Sequence, residues 1–262
     1  MFTGFQQKFP EYEVITPHTN KSFRLKSMSV QEEERLKGSL LSPSVVTDHL
    51  NRCIFDCVTV PPNDVKSFED FLTKLTLKDR DALLYGLYHI TYEEVRNYDV
   101  SCGSCGKTHA ITIKASSTFS MNSYPEDQNI LDAKFQIQLP VMDSVSVSIR
   151  QPTLKDEQEA MKLAGNNSKV LDLMTETLII ENFTENVKGQ DSVVYSTRED
   201  IVDAYRALPP NDKRAIFKEY KDKLGSYGIE LKMRVTCPMC GEEEELDLDL
   251  VDNFFRMVHT LE

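Results

Sequence analysis

The chain has 262 residues, 40% of them hydrophobic, which suffices to bury one large core or two ordinary ones without help from disulfides. Its 30 Lys and Arg against 42 Asp and Glu leave a net charge of −12, which repels a phosphate backbone and argues against a dedicated nucleic-acid binder. Six cysteines, four of them in two Cys-x-x-Cys-Gly units, fit a reducing compartment better than a secreted disulfide framework.

The opening MFTGFQQKFPEYEV lacks the basic region and apolar run of a signal peptide, and no stretch approaches the ~20 apolar residues that cross a bilayer, so a soluble cytoplasmic product with no membrane partner is expected. YEVITP (12–17) and KSFRLKSM (21–28) alternate apolar and polar residues on either side of HTN, the pattern of a hairpin with one buried face. Ser29 and Glu32 form a Ser-x-x-Glu capping box that starts a helix near Val30, carrying Leu36, Leu40 and Leu41. Cys53 and Cys57 stand at i, i+4 spacing in NRCIFDC and read as small buried apolar residues. SFEDFLTKL puts Phe68, Phe71, Leu72 and Leu75 on one helical stripe, and a further helix from near Lys78 bears Leu83, Leu84 and Leu87. These stripes are core rather than ligand boxes.

After the helices, a strand leads into Cys102-Gly-Ser-Cys105-Gly106 and a second strand, with Ile111 and Ile113 alternating, leads out. ASSTFSMNSYPEDQN (115–129) is polar and turn-rich, a connector whose PEDQ (125–128) is a turn.

The chain then repeats itself. SFEDFLTKLTLKDRDALLYGLY at 67–88 aligns without gaps to DIVDAYRALPPNDKRAIFKEYK at 200–221, matching Asp70 with Asp203, Leu75 with Leu208 and Asp79 with Asp212 at an offset of 133. Upstream, 12–38 parallels 135–165: strand, Pro, strand, then an acidic helix start. Downstream, IELKMRVTCPMCGEEEELDLDL repeats the Cys hairpin with Leu246, Leu248 and Leu250 alternating after Cys237 and Cys240. The expectation is an α+β fold of two tandem repeats, each a β-hairpin, several helices and a Cys-x-x-Cys hairpin. The N-terminal repeat spans 1–115, a linker 116–133, and the C-terminal repeat 134–262, closed by a helix presenting Phe254, Phe255 and Val258. Asp79-Arg80-Asp81 and Asp212-Lys213-Arg214 begin helices and are expected to form ion pairs between the repeats. GEEEELDLDL (241–250) reads as a solvated acidic face rather than a cation-binding run.

A tight turn with two thiolates is half of a tetrahedral zinc site, and two such knuckles complete a four-thiolate shell with no open position for a reacting water. Cys102, Cys105, Cys237 and Cys240 are therefore assigned to one structural Zn²⁺ per chain, shared between the repeats. Separate knuckles that recruit His109, Cys53 or Cys57 remain the variant, although His109 reads as an exposed strand residue. A thiol-redox pair would need a helix after the Cys-x-x-Cys to lower a thiol pKa, and strand-like sequence follows both. No Walker loop, Gly-x-Gly-x-x-Gly turn, His-Glu-x-x-His helix or Gly-x-Ser-x-Gly elbow occurs, and no catalytic residue is assigned.

Pro10, Tyr12, Val14, Pro17 and Thr19 open the chain and are followed by Val30, Glu32 and Glu33 at a helix start. Next come the segment Cys53–Phe55, an aromatic-rich helix at 68–75 and the Cys-x-x-Cys hairpin. This order resembles the baseplate hub subunit family of T-even-like contractile-tailed bacteriophages, most clearly over 10–115. The resemblance implies a non-enzymatic protein that is built into the hub or escorts its assembly, with other baseplate and tail proteins as partners and a homo-oligomer in the hub. It would occupy the host cytoplasm during assembly, and the virion tail baseplate if retained. A zinc-ribbon nucleic-acid or transcription-associated protein is the alternative, and it would require a basic patch beside a knuckle where Glu242–Glu245 stand instead.

Overall fold

Alternation at the N-terminus becomes a hairpin: β1 (Glu11–Ile15) pairs antiparallel with β2 (Ser22–Lys26), setting Val14 opposite Phe23 and Tyr12 opposite Leu25. Val14, Phe23 and Leu25 face inward, and a short β3 (Val58–Val60) adds to the other edge of β2. These coordinates are a computed structural model that describes residues 9–37, 43–92, 95–114, 119–165, 167–186, 189 and 191–247. Leu40 and Leu41, and the terminal segment with Phe254, Phe255 and Val258, lie outside the described residues.

Between β2 and β3 run α1 (Val30–Lys37) and α2 (Pro43–Asp56). At the first, the Glu32 carboxylate accepts the Ser29 N–H at 2.8 Å, as the capping-box spacing predicts. α3 (Phe68–Lys74) and α4 (Leu77–Thr91) follow, each opened by a full capping box, Ser67 with Asp70 and Thr76 with Asp79. Phe71, Leu72, Leu75, Leu83 and Leu84 pack with Phe23, Leu25, Leu36 and Ile54 in one core, which also holds Cys53 and Cys57. Gly86 lets α4 lie directly on β1, since a Cβ there would fall 2.3 Å from Val14 Cγ2.

The hairpin of β4 (Val95–Ser101) and β5 (Thr108–Lys114) ends this half. The connector differs from expectation: it contains β6 (Phe119–Asn122), which pairs with a later strand. Ser and Asn mask the strand's periodicity, and only the free edge of its distant partner makes it a strand. PEDQ is a turn as predicted, with Gln128 N–H donating to Pro125 O at 3.2 Å.

The second half runs β7 (Lys134–Gln138), β8 (Val145–Arg150), α5 (Leu154–Ala164), α6 (Ser168–Glu176), β9 (Ile180–Glu185), β10 (Val193–Tyr195), α7 (Arg198–Ala207), α8 (Pro210–Lys223), β11 (Gly228–Thr236) and β12 (Glu243–Asp247). Its main sheet has the order β10-β9-β8-β7, and its core gathers Val147, Ile149, Ile180, Phe183, Ile201, Tyr205 and Ile216. β11 pairs with β6 through its first residues and with β12 through its last.

Asp81 pairs locally, with Lys78 at 3.5 Å, and Asp79 and Asp212 do something other than pair with cations. Asp79 Oδ1 accepts the backbone N–H of His18 at 2.8 Å and of Thr19 at 3.2 Å, in the β1–β2 turn. Asp212 accepts the N–H of Val141 at 2.8 Å and Met142 at 3.1 Å, in the β7–β8 turn. Both carboxylates are fully buried. Each turn has a proline just before its two donors, Pro17 and Pro140, so the helix start and the hairpin turn are clasped in the same way in both halves. Arg80 does cross between halves: Nη2 donates to Glu157 Oε1 of α5 at 3.1 Å, and Nη1 binds the other carboxylate oxygen. Leu154 N–H donates to Leu75 O at 3.0 Å beside it.

Candidate metal centre

The same turn is made twice at the hairpin tips. Cys102 N–H donates to Lys107 O at 3.1 Å and Gly106 N–H to Cys102 O at 2.8 Å; Cys237 N–H donates to Glu242 O at 2.8 Å and Gly241 N–H to Cys237 O at 2.9 Å. Gly106 (φ 67°) and Gly241 (φ 78°) take the left-handed conformation that closes each turn, a region where a Cβ is strained. In each pair the first cysteine is buried and the second exposed.

The two tips face one another. Cys102 Sγ lies 3.7 Å from Cys240 Sγ and Cys105 Sγ 3.8 Å from Cys237 Sγ. All four sulfurs fall within 4.8 Å of one another. Thiolates about 2.3 Å from a tetrahedral Zn²⁺ are separated by about 3.8 Å, whereas disulfide sulfurs are about 2.05 Å apart. The quartet thus has the dimensions of a four-thiolate metal site, and each short contact joins one hairpin to the other. Ile111 of β5 and Val235 of β11, with Val100, Met233 and Leu246, form an apolar cluster that connects the same two hairpins.

The turn amides also set the charge. Backbone N–H groups of Met239 and Cys240 donating to Cys237 Sγ draw its thiol down to about 6. At Cys102 the N–H of Cys105 acts in the same sense, but burial and proton sharing with Cys240 and Cys105 outweigh it and push the thiol up to about 12. A carboxylate straps the site from outside: Glu244 Oε1 of β12 accepts Gly103 N–H at 2.7 Å and Ser104 N–H at 3.3 Å, and lies 3.4 Å from Cys102 Sγ. Glu243 and Glu245 are solvated as expected, but Glu244 turns toward the opposite turn. Alternation with Leu246 puts Glu244 on the inward face of β12, but nothing local names its partner, which is 140 residues away in sequence at Ser104.

Cys53 and Cys57 stand apart in the first core, with Cys53 Sγ 3.5 Å from Met28 Sδ. His109 on β5 is half-buried rather than exposed, and it is not among the four grouped ligands. Both Cys turns lead into strands, β5 and β12, so neither thiol has a helix N-terminus behind it.

A family model described as T4 bacteriophage base plate protein matches residues 9–256. The chain belongs to that family. It is accordingly a structural protein of the phage tail baseplate, as the resemblance implied, and the nucleic-acid alternative is not favoured. A baseplate protein works through contacts with other tail proteins. Comparison with curated proteins and with solved structures gave no significant match. Among the described residues no helix is long and apolar enough to cross a membrane.

Proposed function

We propose that the chain is a non-enzymatic subunit or assembly factor of the baseplate hub, two copies of one unit stapled together by a single structural Zn²⁺ on Cys102, Cys105, Cys237 and Cys240. The observation that carries this reading is the quartet itself: thiols from two hairpins, with cross-hairpin spacings of 3.7 and 3.8 Å, match the edges of a zinc–thiolate tetrahedron. Supporting the duplication are the element order, β-β-α-α-β-α-α-β-β in the first half and the same with β10 added in the second, and the matching clasps of Asp79 and Asp212. The units would span 1–115 and 134–262 about the connector 116–133.

With four protein ligands the ion has no open coordination position, so it supplies stability and not catalysis. Binding free energy for such sites is about 10 kcal/mol at neutral pH, enough to hold the two Cys hairpins in one rigid platform. That platform would present the chain to other baseplate and tail proteins, in the host cytoplasm during assembly and in the virion where it is retained.

Native mass spectrometry of untagged protein, compared with Cys237→Ser/Cys240→Ser, tests the reading. One zinc per chain, lost in the variant together with thermal stability, is the expected result. Two ions per chain, or none, would break the shared site. The same spectrum reports whether the chain is a homo-oligomer.

A further inference from the structure

A cleft of about 270 Å³ opens in the second half between the β8–β9 face and α7, walled by Met142, Val145, Phe183, Tyr195, Ala204 and Leu208. Its origin can be read from the first half. At the offset that pairs Asp70 with Asp203, Ala204 stands where the first half has Phe71, and Phe71 is fully buried in its own core. A phenyl ring that fills the first unit is absent from the second, and the space opens to the surface. Three carboxylates, Glu185, Asp200 and Asp203, also line this cleft. Asp203 pairs with Arg206 at 3.2 Å, and both side chains are exposed. Beside the cleft runs β10, which is bonded on one side to β9, forms the edge of its sheet, and exposes Val193 at 43% and Val194 at 56%.

An apolar hole with an acidic lining next to a sheet edge selects its occupant by chemistry. The apolar walls ask for one large hydrophobic side chain. The carboxylates ask for neighbouring positive charge, and the strand edge asks for extended backbone. A second copy of a chain with net charge −12 brings the wrong sign. We propose that this cleft docks an extended segment of another protein, seating a large apolar side chain against Ala204 with lysine or arginine beside it facing Glu185, Asp200 and Asp203. The site is separate from the thiol quartet and stands whether or not that quartet binds zinc.

Fluorescence anisotropy on the full chain tests this, with a labelled short peptide carrying one phenylalanine between lysines as probe. Control peptides replace the phenylalanine by serine or the lysines by glutamate. Saturable binding is expected, weakened about tenfold or more by Ala204→Phe and by the serine control. It should also weaken with added salt and with the exposed change Asp203→Lys, which leaves the core untouched and serves if Ala204→Phe fails to fold. Binding that is indifferent to both substitutions, or absent for the lysine peptide, would overturn the proposal. So would self-association in sedimentation that disappears in Ala204→Phe, because the occupant would then be a second copy of this chain.

Discussion

Replacing Asp79 by alanine should be far more damaging than replacing Asp212, although the two residues occupy matching places. Asp79 accepts three backbone hydrogen bonds, from His18 N–H at 2.8 Å, Thr19 N–H at 3.2 Å and Thr76 N–H at 3.0 Å, and lies 3.1 Å from Thr76 Oγ1. Asp212 accepts two from the chain, at 2.8 and 3.1 Å, because Pro209 stands where the first half has Thr76 and offers neither an N–H nor a hydroxyl. Each buried N–H left without an acceptor costs about 1–3 kcal/mol. His18 and Thr76 are both fully buried, so water cannot replace the lost acceptor, and the His18 ring depends on the same region through Thr76 Oγ1 at 2.8 Å. Asp79→Ala should therefore lower stability by about 3–5 kcal/mol, and Asp212→Ala by about 1–3 kcal/mol because Val141 is 53% exposed and water can take over its N–H. Against a total of about 5–15 kcal/mol for an ordinary domain, the first is severe. Urea titration followed by circular dichroism, with zinc present throughout, measures both. Equal losses would mean that the Thr76 contacts add nothing, and a loss for Asp79→Ala below about 1 kcal/mol would mean that the clasp does not hold the turn to the helix.

Other consequences follow from single contacts. Gly86→Ala gains about 1 kcal/mol of helix propensity but drives a methyl against Val14, so a net loss of about 1–2 kcal/mol is expected in thermal melts, partly recovered when Val14→Ala is added; a stabilised Gly86→Ala would contradict the close approach of α4 to β1. Glu157→Ala strands the buried Arg80 guanidinium and should cost about 3–5 kcal/mol, whereas Arg80→Met/Glu157→Met together should cost much less; similar losses in the two variants would count against a desolvated pair. Asp156 is held below the usual carboxylate range: burial opposes its ionisation, but the hydrogen bonds and charge of Arg150 outweigh this. Because its folded pKa is depressed, its contribution is complete above about pH 5 and is lost as pH falls through about 4 toward the lowered value. Asp156→Asn should flatten that part of the stability–pH curve, and an unchanged slope would assign the acid sensitivity elsewhere.

Local signals in this sequence are strong wherever a residue acts on its near neighbours. The Ser29–Glu32 box, the stripes of Phe71, Leu72, Leu83 and Leu84, and the glycines after each Cys pair match the structure, because helix starts, amphipathic faces and left-handed turns are decided within a few residues. The gapless alignment of 67–88 with 200–221 likewise drew attention to Asp79 and Asp212. A carboxylate beside Arg80 suggests an ion pair, whereas Asp79 accepts N–H groups both from Thr76 and, 61 residues away, from His18.

β6 and the partner of Glu244 leave no sign in the sequence for the same reason. A strand that exists because β11 offers a free edge, and a carboxylate that strands beside Gly103 across two hairpins, have no local signature. The sequence by itself determined the α+β class and the four cysteines at their two turns, both of which rest on short-range backbone and side-chain preferences. Only the tertiary structure decided that those turns meet with all four sulfurs within 4.8 Å of one another and that Ala204 leaves a cleft where Phe71 fills one, because the first depends on packing between hairpins more than a hundred residues apart and the second on packing among separate elements from Met142 to Leu208.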